Sequence, residues 1–206
     1  MAKPKSKKPW NAGKVVGPKK PLDRESLNAL RRILKGKEKL RDLALLEVAV
    51  TTMLRGCDLL QLRVRDVAGF DGGIVDRFTL RQKKTKEGVV VTLSDAARAA
   101  LEAWIAESDK DASDFLFTAK SNHHGPAMTT KAFWDLTKAW AQLIHVDPKD
   151  LGTHSLRRTQ AAHIYKRTGS IRTVQKLLGH SSHAATERYL GIEVEDALEL
   201  KRLYEI

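Results

Sequence analysis

Apolar residues recur at helical spacing along almost the whole chain and change to an alternating pattern once, between Val64 and Leu93. That single switch requires helices packed around one small sheet. Leu22 before Asp23, with Leu27 in the following turn, has the form of a hydrophobic staple around an N-cap. Leu27, Leu30, Ile33 and Leu34 continue the repeat until Gly36. A second helix carries Leu43, Leu46, Val50, Met53 and Leu54 on one face and runs out at Arg55-Gly56, which puts Arg55 at a helix end. A third, short helix is predicted over Asp58 to Leu62. In the alternating stretch Asp71-Gly72-Gly73 signals a turn, IVDRFTLRQ alternates at period two, and VVVTL follows a loop with Lys and Gly. These features predict an antiparallel sheet of two or three strands.

Helical spacing returns with Ala97, Ala100, Leu101, Trp104 and Ile105. After a His123-His124-Gly125-Pro126 loop it resumes with Phe133, Leu136, Trp140 and Leu143 behind Thr129 as cap. Two further helices are predicted near 154–167 and 171–178, separated by Thr168-Gly169-Ser170, the second ended by Gly179, with Ser182 capping the next. Residues 193–206 read as an amphipathic tail helix carrying Leu198, Leu203 and Ile206. The pattern is that of a mostly helical α+β domain.

The 206 residues are 42% hydrophobic and 30% charged, enough apolar material for a packed core. No stretch approaches the ~20 apolar residues of a membrane-spanning helix, and no apolar run follows the N-terminal lysines, so the expectation is a cytoplasmic protein without a membrane partner. Cys57 is the single cysteine, which excludes an internal disulfide and a thiolate zinc cage. The net charge is +12. A phosphate-rich partner, nucleic acid first, fits that excess. Seven lysines and no acid fall within residues 1–20, read as a mobile basic tail; the remaining residues still carry +5. Seven histidines predict no metal site: His123 and His124 are adjacent, and His180 with His183 lacks a third ligand.

Residues 153–191 carry the most chemical information. His154 and Arg157 lie three apart at a helix start, sharing a face near free N–H groups that favour an anion. His180 follows the Gly179 stop, and Tyr189 lies nine residues later in the helix that Ser182 begins. Taken singly, each has a plain structural explanation: a dipole-favoured cation for Arg55, a packed ring for Tyr189. Tyr165 sits inside a helix and Tyr204 in the tail, and neither follows a Gly-His turn.

The set H-x-x-R, then LLGHSS, then a tyrosine nine residues after that histidine resembles the tyrosine recombinase, or phage integrase, family. TTMLRGCDLLQL resembles its first arginine box, with Arg55 as the arginine and Asp58 where an acid is usual. LRQKKTKEGVVVTL resembles its hairpin lysine, best matched by Lys84, with Lys83 and Lys86 as alternatives. The resemblance spans roughly residues 20–192 and implies a mostly helical α+β catalytic domain with a small antiparallel three-stranded sheet. It divides the chain into a basic tail (1–20), a catalytic domain (21–192) and a tail helix (193–206).

The implied reaction is DNA strand cleavage through a 3′-phosphotyrosyl link, strand exchange and religation, with neither ATP nor a metal required. Arg55 and Arg157 would clamp the charge that builds on the phosphate. His154 would take the Tyr189 proton, nearby cations would lower the phenol pKa, Lys84 would protonate the leaving 5′-oxygen, and His180 would donate to the phosphate. The resemblance also implies double-stranded DNA as partner, a tetrameric synapse on DNA and scope for an accessory DNA-binding protein. Most members carry a core-binding domain ahead of the catalytic one, and residues 1–20 are too few for one, so the expected grip on DNA is weak and salt-dependent. Two other readings compete. In one, the helices over 154–167 and 171–178 form a helix-turn-helix regulator presenting Arg172, Thr173 and Gln175; in the other, the chain is a type IB topoisomerase.

Overall fold

The computed structural model describes residues 19–70, 72–191 and 202. The first eighteen residues and the tail over 193–206, apart from Arg202, therefore lie outside the described residues, as do the tail's Leu198, Leu203 and Ile206. The elements run α1 (Arg24–Gly36), α2 (Leu40–Thr52), α3 (Gly56–Leu59), α4 (Val64–Val67), β1 (Arg77–Arg81), β2 (Gly88–Thr92), α5 (Asp95–Ser108), α6 (Thr130–Leu143), α7 (Thr153–Thr168), α8 (Ile171–Leu178) and α9 (His183–Leu190).

Asp23 caps α1 by accepting from the Ser26 amide at 2.7 Å, and Leu22 and Leu27 are both buried as the staple pattern expects. Nine of the thirteen residues of α2 are buried, and this helix forms the centre of the domain, packed on α1, α5 and α7. Its end differs from the sequence expectation. Met53 adopts the left-handed conformation (φ 51°), so α2 stops at Thr52 and Arg55 becomes the N-cap of α3. Arg55 thus stands at a helix start, where no C-terminal dipole accounts for its charge. The short helix expected over Asp58 to Leu62 begins earlier, at Gly56, and Leu60 and Gln61 form a turn after it.

The sheet has two strands among the described residues, not three. β1 and β2 are antiparallel, with Phe78 opposite Val91 on the buried face. The stretch expected to supply the third strand makes only an isolated bridge, Ala68 with Ile74. There the Gly69 amide donates to the Gly73 carbonyl at 2.7 Å, two residues past the end of α4, so the pairing stops at this one bridge. Beyond the main core, Met53, Ala161, Val174 and Leu178 form a second cluster between α7 and α8, on which Tyr165, Tyr189 and Leu190 pack. The lead-in to α1 lies on α7: the Leu22 amide donates to the Thr159 hydroxyl at 3.1 Å, and Arg158 donates to the Lys19 carbonyl.

Candidate active site

The six residues singled out from the sequence come from five separate segments and meet on one side of the molecule. Arg55, at the head of α3, is half-buried and donates to the side-chain oxygen of Gln82. Three residues later Asp58 is buried, and its Oδ1 accepts from the Lys83 amide at 2.9 Å, tying α3 to the turn of the β1–β2 hairpin. Lys84 sits exposed in that turn. Arg55, Lys84 and His180 line one cleft of about 810 Å³, together with Arg172 and Lys176 of α8. Among the described residues Glu87 is the one acid on its walls.

Under this cleft lies Arg157, 3% exposed, one turn into α7. Its Nη2 donates to the Leu178 carbonyl at 2.8 Å, while its Nε is buried with no partner among the described residues. No carboxylate pairs with it among the described residues. A buried cation left with an unused donor is poised for an anion. His154, at the start of the same helix, keeps an exposed side chain. Partial loss of hydration on the protein-facing side and then the charges of Arg157, Arg158 and Arg55 hold its pKa below the ordinary imidazole value, which disfavours the imidazolium.

His180 follows the left-handed Gly179 (φ 63°) that ends α8. Burial, then Arg157 and Arg55, push its pKa down to about 4. Its Nδ1 lies 3.2 Å from the Thr186 hydroxyl, whose own proton goes to the Ser182 carbonyl at 3.2 Å. That hydroxyl therefore accepts from Nδ1–H, which leaves Nε2 a bare acceptor. To donate to a phosphate through Nε2, His180 must first take up a proton.

Tyr189 packs its ring edge-on to His180, with centroids 5.1 Å apart. Arg158 lies 4.6 Å and Arg157 5.7 Å from the ring centroid. The hydroxyl is buried and has no hydrogen-bond partner among the described residues. Here the structure corrects an expectation. Arg157, Arg158 and Arg55 do act to lower the phenol pKa, but burial outweighs them and the pKa is raised. The cations are in place, while the ring rests on the second apolar cluster with its oxygen withdrawn from solvent.

The motifs and the family resemblance singled out these six residues but not three others that contact them. Gln82 lies within the quoted LRQKKTKEGVVVTL stretch but was given no role there, and Thr186 lies in no quoted motif; folding brings both to the site. Arg158 could have been noticed as a second arginine beside Arg157, though its stacking on Tyr189 depends on how α9 packs. Among the described residues, one group of potential cation ligands has its atoms within 4.8 Å: Asp111, Asp114 and His124. These groups already bond one another, with His124 Nδ1 2.7 Å from Asp114 and the Asp111 amide 2.9 Å from the same carboxylate. The α7–α8 turn does have a helix-turn-helix outline, but the Gln175 amide is committed to the His180 carbonyl at 3.0 Å. Arg172 opens onto the same cleft as Arg55 and Lys84.

Comparison with known proteins gives the same picture. The model of the phage integrase family matches residues 20–195. A tyrosine recombinase XerD from Listeria innocua serovar 6a is 30% identical over 171 residues, which cover 80% of this chain and 54% of that protein. The chain thus spans about half the length of such curated relatives. Among solved structures, the XerA recombinase aligns with a TM-score of 0.73 at 19% identity, over 92% of this chain and 65% of that one. The XerH site-specific recombinase bound to its palindromic difH substrate, in a post-cleavage complex, aligns at 0.70 with 21% identity, over 91% of this chain and 54% of that one. These likenesses establish the fold.

Proposed function

The chain belongs to the phage integrase family, and on that premise we propose that it cleaves and rejoins DNA strands through a covalent link to Tyr189. One observation carries the proposal: Arg55, Lys84, Arg157, His180 and Tyr189, from distant parts of the chain, surround or underlie one cationic cleft, with His154 on the helix of Arg157. The Tyr189 oxygen attacks phosphorus, the bond to the 5′-oxygen breaks, and the enzyme keeps the 3′-phosphate. His154 takes the phenolic proton, and Lys84 gives one to the departing 5′-oxygen. Arg55 and Arg157 hold the non-bridging oxygens as charge builds on them. A phosphate beside His180 favours its imidazolium and allows it to donate. Religation reverses these steps, and the phosphotyrosyl bond conserves the energy, so neither ATP nor a metal enters the balance.

For attack, the Tyr189 hydroxyl must leave its buried position. The short α9, bounded by Gly179 (φ 63°) and Gly191 (φ 68°), is the element whose movement would deliver it. The same reading makes residues 21–192 the catalytic domain, double-stranded DNA the partner, a tetramer on DNA the exchanging species, an accessory DNA-binding protein admissible, and the cytoplasm the location. No helix among the described residues is long and apolar enough to cross a membrane.

The test is incubation with a pool of nicked suicide duplexes, randomised around the nick, followed by detection of a denaturation-resistant protein–DNA adduct. Wild type forms the adduct; Arg157→Ala lowers its rate by about 10²–10³-fold. Tyr189→Phe, which deletes an unpartnered hydroxyl and keeps the fold, forms none. An adduct that survives Tyr189→Phe, or no adduct on a pool the protein binds, overturns the proposal. Strand exchange between two duplexes distinguishes a recombinase from a topoisomerase.

A further inference from the structure

Gln82 has no role in the reaction just described, yet it touches three of the segments that make the cleft. It stands at the end of β1, 4% exposed, where the hairpin enters its turn. Its Oε1 accepts from Arg55 and, at 3.0 Å, from the Thr85 hydroxyl. Its backbone closes the turn, the Gln82 amide donating to Glu87 and the Lys86 amide to Gln82, each at 2.9 Å. On the opposite side, a Cβ at Gly179 would lie 3.4 Å from its Nε2, so the amide rests against the turn that presents His180. One buried side chain therefore joins Arg55, the Lys84 turn and the His180 turn.

We infer that Gln82 is a positioning residue that sets Arg55 and Lys84 at a common distance from the bound phosphate. Its chemistry suits the task. A neutral carbonyl oxygen orients a guanidinium without cancelling its charge, whereas a carboxylate there would compete with the phosphate for Arg55. Arg55 forms no ion pair with a carboxylate among the described residues. Asp58 fixes the same turn through the Lys83 amide and touches a different atom. Gln82 is thus the link that couples the turn to the arginine. The consequence for rate rests on the strand-cleavage reading; the positioning itself does not.

The experiment compares full-length wild type, Gln82→Met and Gln82→Glu by three readouts: adduct rate on the nicked-duplex pool, affinity for the same pool, and amide hydrogen exchange at Lys83 and Lys86. Gln82→Met keeps the size and loses the acceptor. It is expected to speed exchange at both amides and to lower the adduct rate by about 10- to 100-fold, with affinity changed less than about twofold. Gln82→Glu restores slow exchange but not the rate, because its carboxylate holds Arg55. A Gln82→Met protein with the wild-type rate, or with unaltered exchange, overturns the inference. So does a loss of rate that only tracks a loss of folded protein. A Gln82→Glu protein with the wild-type rate overturns the argument from neutrality. If wild type itself forms no adduct, the cleavage reading has failed, and exchange at Lys83 and Lys86 still decides whether Gln82 holds the turn.

Discussion

His180 joins stability to chemistry at a single side chain. Its imidazole is held neutral by burial and by Arg157 and Arg55, with a pKa of about 4. Above the ordinary value of ~6.5 the folded and unfolded chains are both neutral at this position, and the group costs nothing. As pH falls below that, the unfolded chain takes up a proton that the folded one refuses until about pH 4, so stability declines through this window. His154 acts with the same sign. His180→Asn is therefore expected to flatten the fall of melting temperature between about pH 7 and pH 4.5. An unchanged slope would remove His180 from the account. Arg157 is the counterpart: a cation that cannot lose its proton is buried, donates to the Leu178 carbonyl and lacks a partner at Nε among the described residues.

The element that matters most is the turn from α8 into α9. Gly179 is left-handed (φ 63°) and closes α8 by donating to Lys176, while Ser182 caps α9 through the Ala185 amide at 3.2 Å. A side chain at Gly179 meets two obstacles, the backbone conformation and the Gln82 amide 3.4 Å from the new Cβ. Gly179→Ala is expected to cost about 1 kcal/mol or more in a urea titration. It should also slow adduct formation by displacing His180. Gly36→Ala supplies the control. It ends α1 with nothing within 4 Å of a Cβ and without a positive φ, so it is expected to be neutral or to stabilise by up to about 1 kcal/mol. Equal losses in the two variants would contradict the assignment of strain to Gly179.

At the scale of the whole molecule, charge is distributed unevenly. Paired carboxylates neutralise arginines in the scaffold, as with Arg31–Glu47 and Arg41–Asp42, but not those at the cleft. The site thereby keeps its positive field for a polyanion. Residues 2–18 add five lysines and no acid. Removing them is expected to weaken DNA binding and to make log affinity fall less steeply with log salt, by up to ~0.9 for each phosphate these lysines neutralise. Identical binding curves at low and high salt would show that this segment does not meet DNA.

Local patterns determined much of this protein. The caps Asp23, Thr129 and Ser182 and the stops at Gly169 and Gly179 bound helices in the structure. They were legible because each depends on a few neighbouring dihedrals and one or two hydrogen bonds. The six candidate site residues were legible through the resemblance of their motifs to the phage integrase family, and the chemistry of their side chains suits charge on a phosphate. Other features needed the tertiary structure. Among the described residues the sheet has two strands, the chain between α4 and β1 making an isolated bridge instead, and α2 ends early because Met53 turns left-handed. Tyr189 titrates higher rather than lower because α9 packs its ring onto the second core. Burial and the approach of segments distant in sequence depend on the path of the whole chain, so no local pattern encodes them, and they decide where the charges stand and which groups meet water.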